Sequence, residues 1–169
     1  MTYSKRIALN SLLLALICVA SWIVIPSGIL LVPISTLTMA LVLVSFLRPA
    51  SDTFFIVLLF LIIEALNLPV VALGSSRIFG PTGGYHLAFL IAFPLLSLAL
   101  SKTQSIFLHY LLSLVITLPI IYCLGSLVLS LFFQKNFEAT LLANAIFIPF
   151  DCVKYLLALL AAQGVKKII

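Results

Sequence analysis

Few residues in this chain have chemistry to offer, and two of them stand together. Asp151 and Lys154 lie three apart inside a long apolar run. On a helix that spacing puts both side chains on one face. Counted from Glu138 at the start of the run, Asp151 is 13 residues in, about 20 Å along a helix axis. Asn144, seven residues before Asp151, is expected to share the face. Charges at a bilayer centre cost at least about 2.5–3.5 kcal/mol each on insertion scales, so they face a partner or a cavity. One reading is a mutually neutralised structural pair, although an apolar pair would pack at lower cost. The other is a polar ligand site inside a bundle, with Pro149 loosening the helix beside it.

A second constellation is Gly80-Pro81-Thr82-Gly83-Gly84-Tyr85, just ahead of another apolar run. Pro81 stiffens the entry, and Gly83 and Gly84 let backbone approach another surface closely. Amides that open a helix are unpaired and carry the positive dipole end, which suits a carboxylate or carbonyl oxygen. Tyr85 adds a flat apolar face with a hydroxyl. The remaining polar residues are more ambiguous. Glu64 either joins a cavity, pairs with Arg77 or is protonated. His86 follows Tyr85 at the outer boundary, with contact to a ligand as one of its readings; His109 reads as an interfacial or interhelical hydrogen bonder, and Trp22 as an interfacial anchor. Ala8, Ser11 and Ala15 form a small-residue stripe that lets another helix come close, either within this bundle or from a separate subunit.

The elements that must position these groups are membrane helices. Of 169 residues, 64% are hydrophobic and 8% charged, against about a quarter charged in soluble domains. No run of like charge is long enough for a nucleic-acid-binding tail. No phosphate-binding loop and no metal-ligand spacing occurs, so neither a nucleotide nor a metal cofactor is expected. Gly74-Ser75-Ser76 resembles the start of an intramembrane protease motif, but Arg77 stands where a glycine is wanted and no base is positioned for the serine. An enzyme is therefore not expected. Cys18, Cys123 and Cys152 read as buried free thiols.

Apolar runs divided by charges, prolines and glycines predict an all-α bundle of six transmembrane helices, over about 7–26, 29–47, 53–71, 85–101, 105–133 and 138–164. The first run is too long for a signal-peptide core and is expected to remain as a span. Lys5, Arg6, Arg48, Lys102, Lys166 and Lys167 then fall on one side, and Arg77 and Lys135 on the other. The positive-inside rule puts both termini in the cytoplasm. The longest connection, about Asn67 to Gly84, is outward. No linker splits the chain, so residues 1–169 form one domain.

Two strings carry a resemblance. Gly80–Tyr85, GPTGGY, and Phe147–Lys154, FIPFDCVK, resemble the BioY family of biotin transporters, the substrate-binding (S) subunits of energy-coupling-factor (ECF) transporters. The family's F-I-P-G-D-x-x-K is matched at Phe147, Ile148, Pro149, Asp151 and Lys154. Leu68-Pro69-Val70 and Val32-Pro33-Ile34 resemble its L-P-V and V-P-I. Phe150 replaces a glycine, Ala88 another, and Ser35-Thr36-Leu37-Thr38 stands in place of T-L-Q-T, without the glutamine. Around Ser75–Phe79 the loop is shortened, with Arg77 in place of a glycine-rich stretch. The resemblance implies a plasma-membrane subunit of a bacterium that captures biotin from outside. Its transport would be energised by a separate ECF transmembrane subunit and two ATPases, which alone use ATP. It points to Asp151, Lys154, Tyr85, Gly84, Gly83 and Thr82 as substrate-binding, and to Ala8, Ser11 and Ala15 as the face that docks the transmembrane subunit; the chemistry of biotin adds Asn144 as a donor to its ureido group and Arg77 as a cation for its carboxylate. The alternatives are a self-sufficient secondary transporter, an S subunit for a related small vitamin, or an assembly subunit with no ligand.

Overall fold

Residues 2–25, 34–68 and 78–167 are described by the computed structural model of the chain, and most of them are helical. Inside lipid a backbone has no water to bond, so each apolar segment satisfies its own amides and carbonyls by coiling into a helix. Helix α1 covers Tyr3–Trp22, α2 Leu37–Leu47, α3 Ala50–Ala65, α4 Gly83–Leu100 and α5 Ile106–Phe133. The last run divides into α6, Phe137–Asn144, a 3₁₀ turn at Ala145–Phe147, and α7, Ile148–Lys166. Among the described residues, α1, α4, α5 and the stretch Phe137–Lys166 are long and apolar enough to cross a membrane. Helices α2 and α3 have 11 and 16 residues.

The second expected span begins late, and prolines explain it. Residue Ile25 precedes Pro26, and a residue before proline is pushed into extended backbone. Val24–Ile25 (β1) accordingly pairs antiparallel with Ile34–Ser35 (β2), Val24 opposite Ser35. The Thr36 hydroxyl donates to the Ala20 carbonyl at 2.8 Å and the Thr36 amide to Ile23 at 3.1 Å, satisfying carbonyls at the end of α1. The Ser35 hydroxyl accepts from the Leu37 amide at 3.1 Å as α2 opens. Helix α1 thus stops at Trp22 rather than 26, and α2 starts at Leu37 rather than 29. Helix α3 ends at Ala65, ahead of Asn67 in a left-handed conformation, φ 54°. The expected continuation to 71 lies partly outside the described residues.

The sixth expected span is interrupted. Pro149 has no amide to offer the Ala145 carbonyl, and its ring crowds that oxygen. The chain tightens into the 3₁₀ turn and restarts, with Pro149 in the opening turn of α7.

Helices α4 and α5 touch most intimately, and two glycines permit it. A β-carbon at Gly84 would overlap the Leu124 carbonyl oxygen and Val128, and one at Gly125 would overlap the Tyr85 ring. Ile17, Leu41, Val57, Phe60, Phe93, Leu96 and Tyr155 fill the interior. Large apolar side chains such as Leu12, Phe55, Ile91, Phe107, Leu131 and Val153 are exposed on every long element. That inverted surface belongs to a multi-pass membrane protein whose outer face meets lipid. Cys123 is exposed and Cys18 and Cys152 half-buried, so the thiols are free but less buried than expected.

At one end of the bundle the Asp52 carboxylate is clamped by two arginines. Arg6 Nε donates to both oxygens at 3.0 Å, and Arg48 pairs with the second oxygen. The clamp joins α1, the α2–α3 turn and the first turn of α3.

Candidate functional site

Restarting the helix at Ile148 puts Asp151 in the first turn of α7, where the positive dipole end favours a carboxylate. Lys154, three residues on, pairs with Asp151 Oδ1 at 2.5 Å. Lys154 Nζ also donates to the Ser35 carbonyl and to Thr38 Oγ1, both at 3.1 Å, tying α7 to β2 and α2. The Thr38 hydroxyl faces Asp151 Oδ1 at 3.4 Å, and the Tyr122 hydroxyl of α5 donates to Oδ2 at 2.6 Å. One carboxylate therefore gathers groups from α2, α5 and α7. Asp151 is buried and Lys154 partly so.

Asn144 belongs to a neighbouring cluster. Its amide donates to the Tyr85 hydroxyl at 2.6 Å and to Ser126 Oγ at 2.8 Å. The 3₁₀ turn separates Asn144 from Asp151, so the expected common face of one continuous helix is not what relates them. Helix α5 does that: Tyr122 and Ser126 are four residues apart on one side of it. Tyr155, wholly buried, shares a 2.9 Å hydrogen bond with Thr117, one turn further along α5.

The other expected residues are placed as follows. Thr82 leads into α4, and Gly83, Gly84 and Tyr85 form its buried opening turn. Of their amides, Gly83 donates to Gly80 and Tyr85 to Thr82, each at 3.0 Å, so this turn already uses two of the three donors expected to be open. Gly84 serves close packing. Arg77 lies outside the described residues. Ala8, Ser11 and Ala15 are exposed on α1, while that helix buries Leu13, Ile17 and Ala20 instead. The small-residue stripe is therefore not spent on packing inside the bundle. Phe150, in the family's glycine position, is also exposed and points away from the Asp151 cluster. Leu37, where the glutamine would stand, is core.

Glu64 pairs with His86 Nδ1 at 2.6 Å, both buried, which joins α3 to α4. His109 Nε2 bonds the Thr103 carbonyl at 2.9 Å at the basic end. Among the described residues no group of three His, Cys, Asp or Glu could hold a metal.

Thr38, Tyr122, Ser126 and Tyr155 were missed by sequence reasoning. A signal for two of them was present: Ser113, Thr117, Tyr122, Ser126 and Ser130 recur every four or five residues along α5, and all five are buried. Such a buried hydroxyl stripe in a membrane helix marks its interior face.

Comparison with known proteins agrees with this architecture. The family model for BioY matches residues 1–169. The biotin transporter BioY2 of Lactococcus lactis subsp. cremoris is 34% identical over 149 residues, covering 86% of this chain and 80% of the relative. The biotin transporter BioY of Thermotoga maritima is 33% identical over 157 residues, 91% of each chain. The crystal structure of the S-component for biotin from an ECF-type ABC transporter superposes with a TM-score of 0.89 at 25% identity, covering 99% of this chain and 95% of the other.

Proposed function

The chain belongs to the BioY family, and from that premise we propose that it is the biotin-binding S subunit of an ECF transporter. Full-length similarity to named biotin transporters carries the reading, and the chemistry of the Asp151 cluster supports it. A ureido group has two N–H donors and one carbonyl acceptor. Asp151 offers carboxylate lone pairs, while Lys154 and Asn144 offer donors, a small set of convergent polar groups of the kind that orients a ligand in a small-molecule site. Tyr85 supplies a ring face against the fused bicycle, and Thr82, Gly83, Gly84 and Arg77 are candidates for the carboxylate end.

In this reading the whole chain is one transmembrane domain with six crossings: α1, α2 with its hairpin, α3, α4, α5 and the broken α6–α7. The basic end, with both termini, faces the cytoplasm of a bacterial plasma membrane. Capture is from outside. The exposed stripe Ala8, Ser11 and Ala15 docks the ECF transmembrane subunit, and two ATPases supply the energy. The chain itself binds no ATP, and biotin is cargo, not a cofactor.

Calorimetry on the purified protein tests this directly. Biotin should bind one-to-one without ATP. Heat from thiamine or riboflavin but none from biotin would retain the architecture and remove the substrate. Biotin uptake by proteoliposomes holding this chain alone, dependent on a proton gradient, would favour a self-sufficient transporter.

A further inference from the structure

The charge of the chain is concentrated at one end. Lys5, Arg6, Arg48, Lys102, Lys166 and Lys167 stand at helix ends there with a single acid, Asp52, a net of +5 and hence the entire formal charge. The other three cations in the sequence are matched by three acids. Asp52 is shared by two guanidiniums, so even that cluster stays positive.

A cavity of about 240 Å³ opens at this end, lined by Arg48, His109 and Lys166 and by no acidic side chain. The hydroxyls of its Ser97 and Ser101 donate to the backbone carbonyls of Arg48 and Leu98, which leaves the cations as its main chemistry. His109 stacks on Phe46, ring centroids 6.2 Å apart, and its Nε2 bonds the Thr103 carbonyl. Lys166 is exposed and enters no ion pair among the described residues. Across the α4–α5 connection lies a groove of about 350 Å³, walled by Leu95, Leu98, Leu108 and Leu112 and ending at Lys102 and Thr103.

We propose that the α4–α5 turn binds an anionic phospholipid. An acyl chain lies in the leucine groove, and the phosphodiester sits within reach of Lys102 on one side and of Lys166 and His109 on the other. Charge selects the ligand: basic pockets between membrane helices on the cytoplasmic side take anionic head groups. The leucine groove selects the source, since it adds nothing to the binding of free phosphate. The inference requires a membrane protein with this basic end, not transport of biotin.

Native mass spectrometry of the protein released from neutral detergent tests it, with phosphatidylglycerol, phosphatidylcholine of the same chains, and sodium phosphate as probes. Phosphatidylglycerol should be retained in preference to phosphatidylcholine. Lys102→Gln and Lys166→Gln should each reduce that preference about fivefold, the amount expected for one cation at an anionic lipid surface. Both lysines are exposed, and the two-lipid comparison on the unmodified chain stands without the variants. Equal retention of the two lipids overturns the proposal, as does a preference that survives both substitutions. Displacement of the lipid by millimolar phosphate would show a free-anion pocket and overturn it too.

Discussion

Two buried aspartates, each in the first turn of a helix and each paired with a cation, do different work. Asp52 is held by guanidiniums from two other elements, in geometry that the planar fork of arginine fits well. Asp151 is held by a lysine of its own helix, a phenol and a threonine. An ammonium is a point charge on a flexible stem, with donors that rotate to new partners, and hydroxyls do the same. The first cluster pins three segments at the basic end. In the proposed biotin-binding reading, the second presents groups that exchange for those of a ligand at little cost in shape. A carboxylate–cation pair in a membrane bundle is thus read by the kind of cation that holds it, not by burial or by how many elements it joins.

The contrast breaks most visibly at Asp52. Asp52→Asn removes the carboxylate that pairs with the buried Arg48, and removing one partner of a buried pair costs on the order of 3–5 kcal/mol. The unfolding midpoint in detergent should fall sharply, while biotin affinity of the folded fraction stays within about threefold. An unchanged midpoint with lost affinity would erase the distinction.

At Asp151 the signs reverse. Asp151→Asn keeps the size but turns an acceptor into a donor opposite a ureido N–H. An unpaired buried group costs about 1–3 kcal/mol, so affinity should fall roughly tenfold or more. Asp151→Asn with Lys154→Met separates the two roles. Affinity that remains low means that the carboxylate meets the ligand. Recovery means that it serves only to neutralise Lys154.

Tyr122→Phe is gentler. Losing one neutral donor to Asp151 is worth about 0.5–1.5 kcal/mol, or some two- to tenfold in biotin affinity, with the midpoint nearly unchanged. A shift in midpoint as large as that of Asp52→Asn would make Tyr122 a pin and not part of an exchangeable set.

The smallest effect on binding is expected on α1, the helix that Arg6 fastens. Ala15 is exposed, so Ala15→Trp should leave biotin affinity and midpoint unchanged while uptake by the assembled transporter falls. If affinity falls together with uptake, the stripe packs within the bundle.

Much of the protein is one-dimensional information. Hydropathy marked the apolar segments that coil into helices because burial in lipid depends on composition along a segment. Most lysines and arginines stand at or beyond helix ends because an apolar segment stops where charge begins. Asp151 with Lys154 was visible because three residues is a fixed angle on any helix, and Ala8, Ser11 and Ala15 showed as a stripe for the same reason. What the sequence left open were relations between helices. That α2 starts only at Leu37 depends on a hairpin closing with residues beyond α1. That Asn144 meets Tyr85, and Asp151 meets Tyr122 and Thr38, depends on how α2, α4, α5 and the broken last segment are rotated and set in depth against one another. Glu64 meets His86 for the same reason. A helix fixes where its side chains point relative to its own axis, and packing alone, here the contact at Gly84 and Gly125, fixes which of them meet.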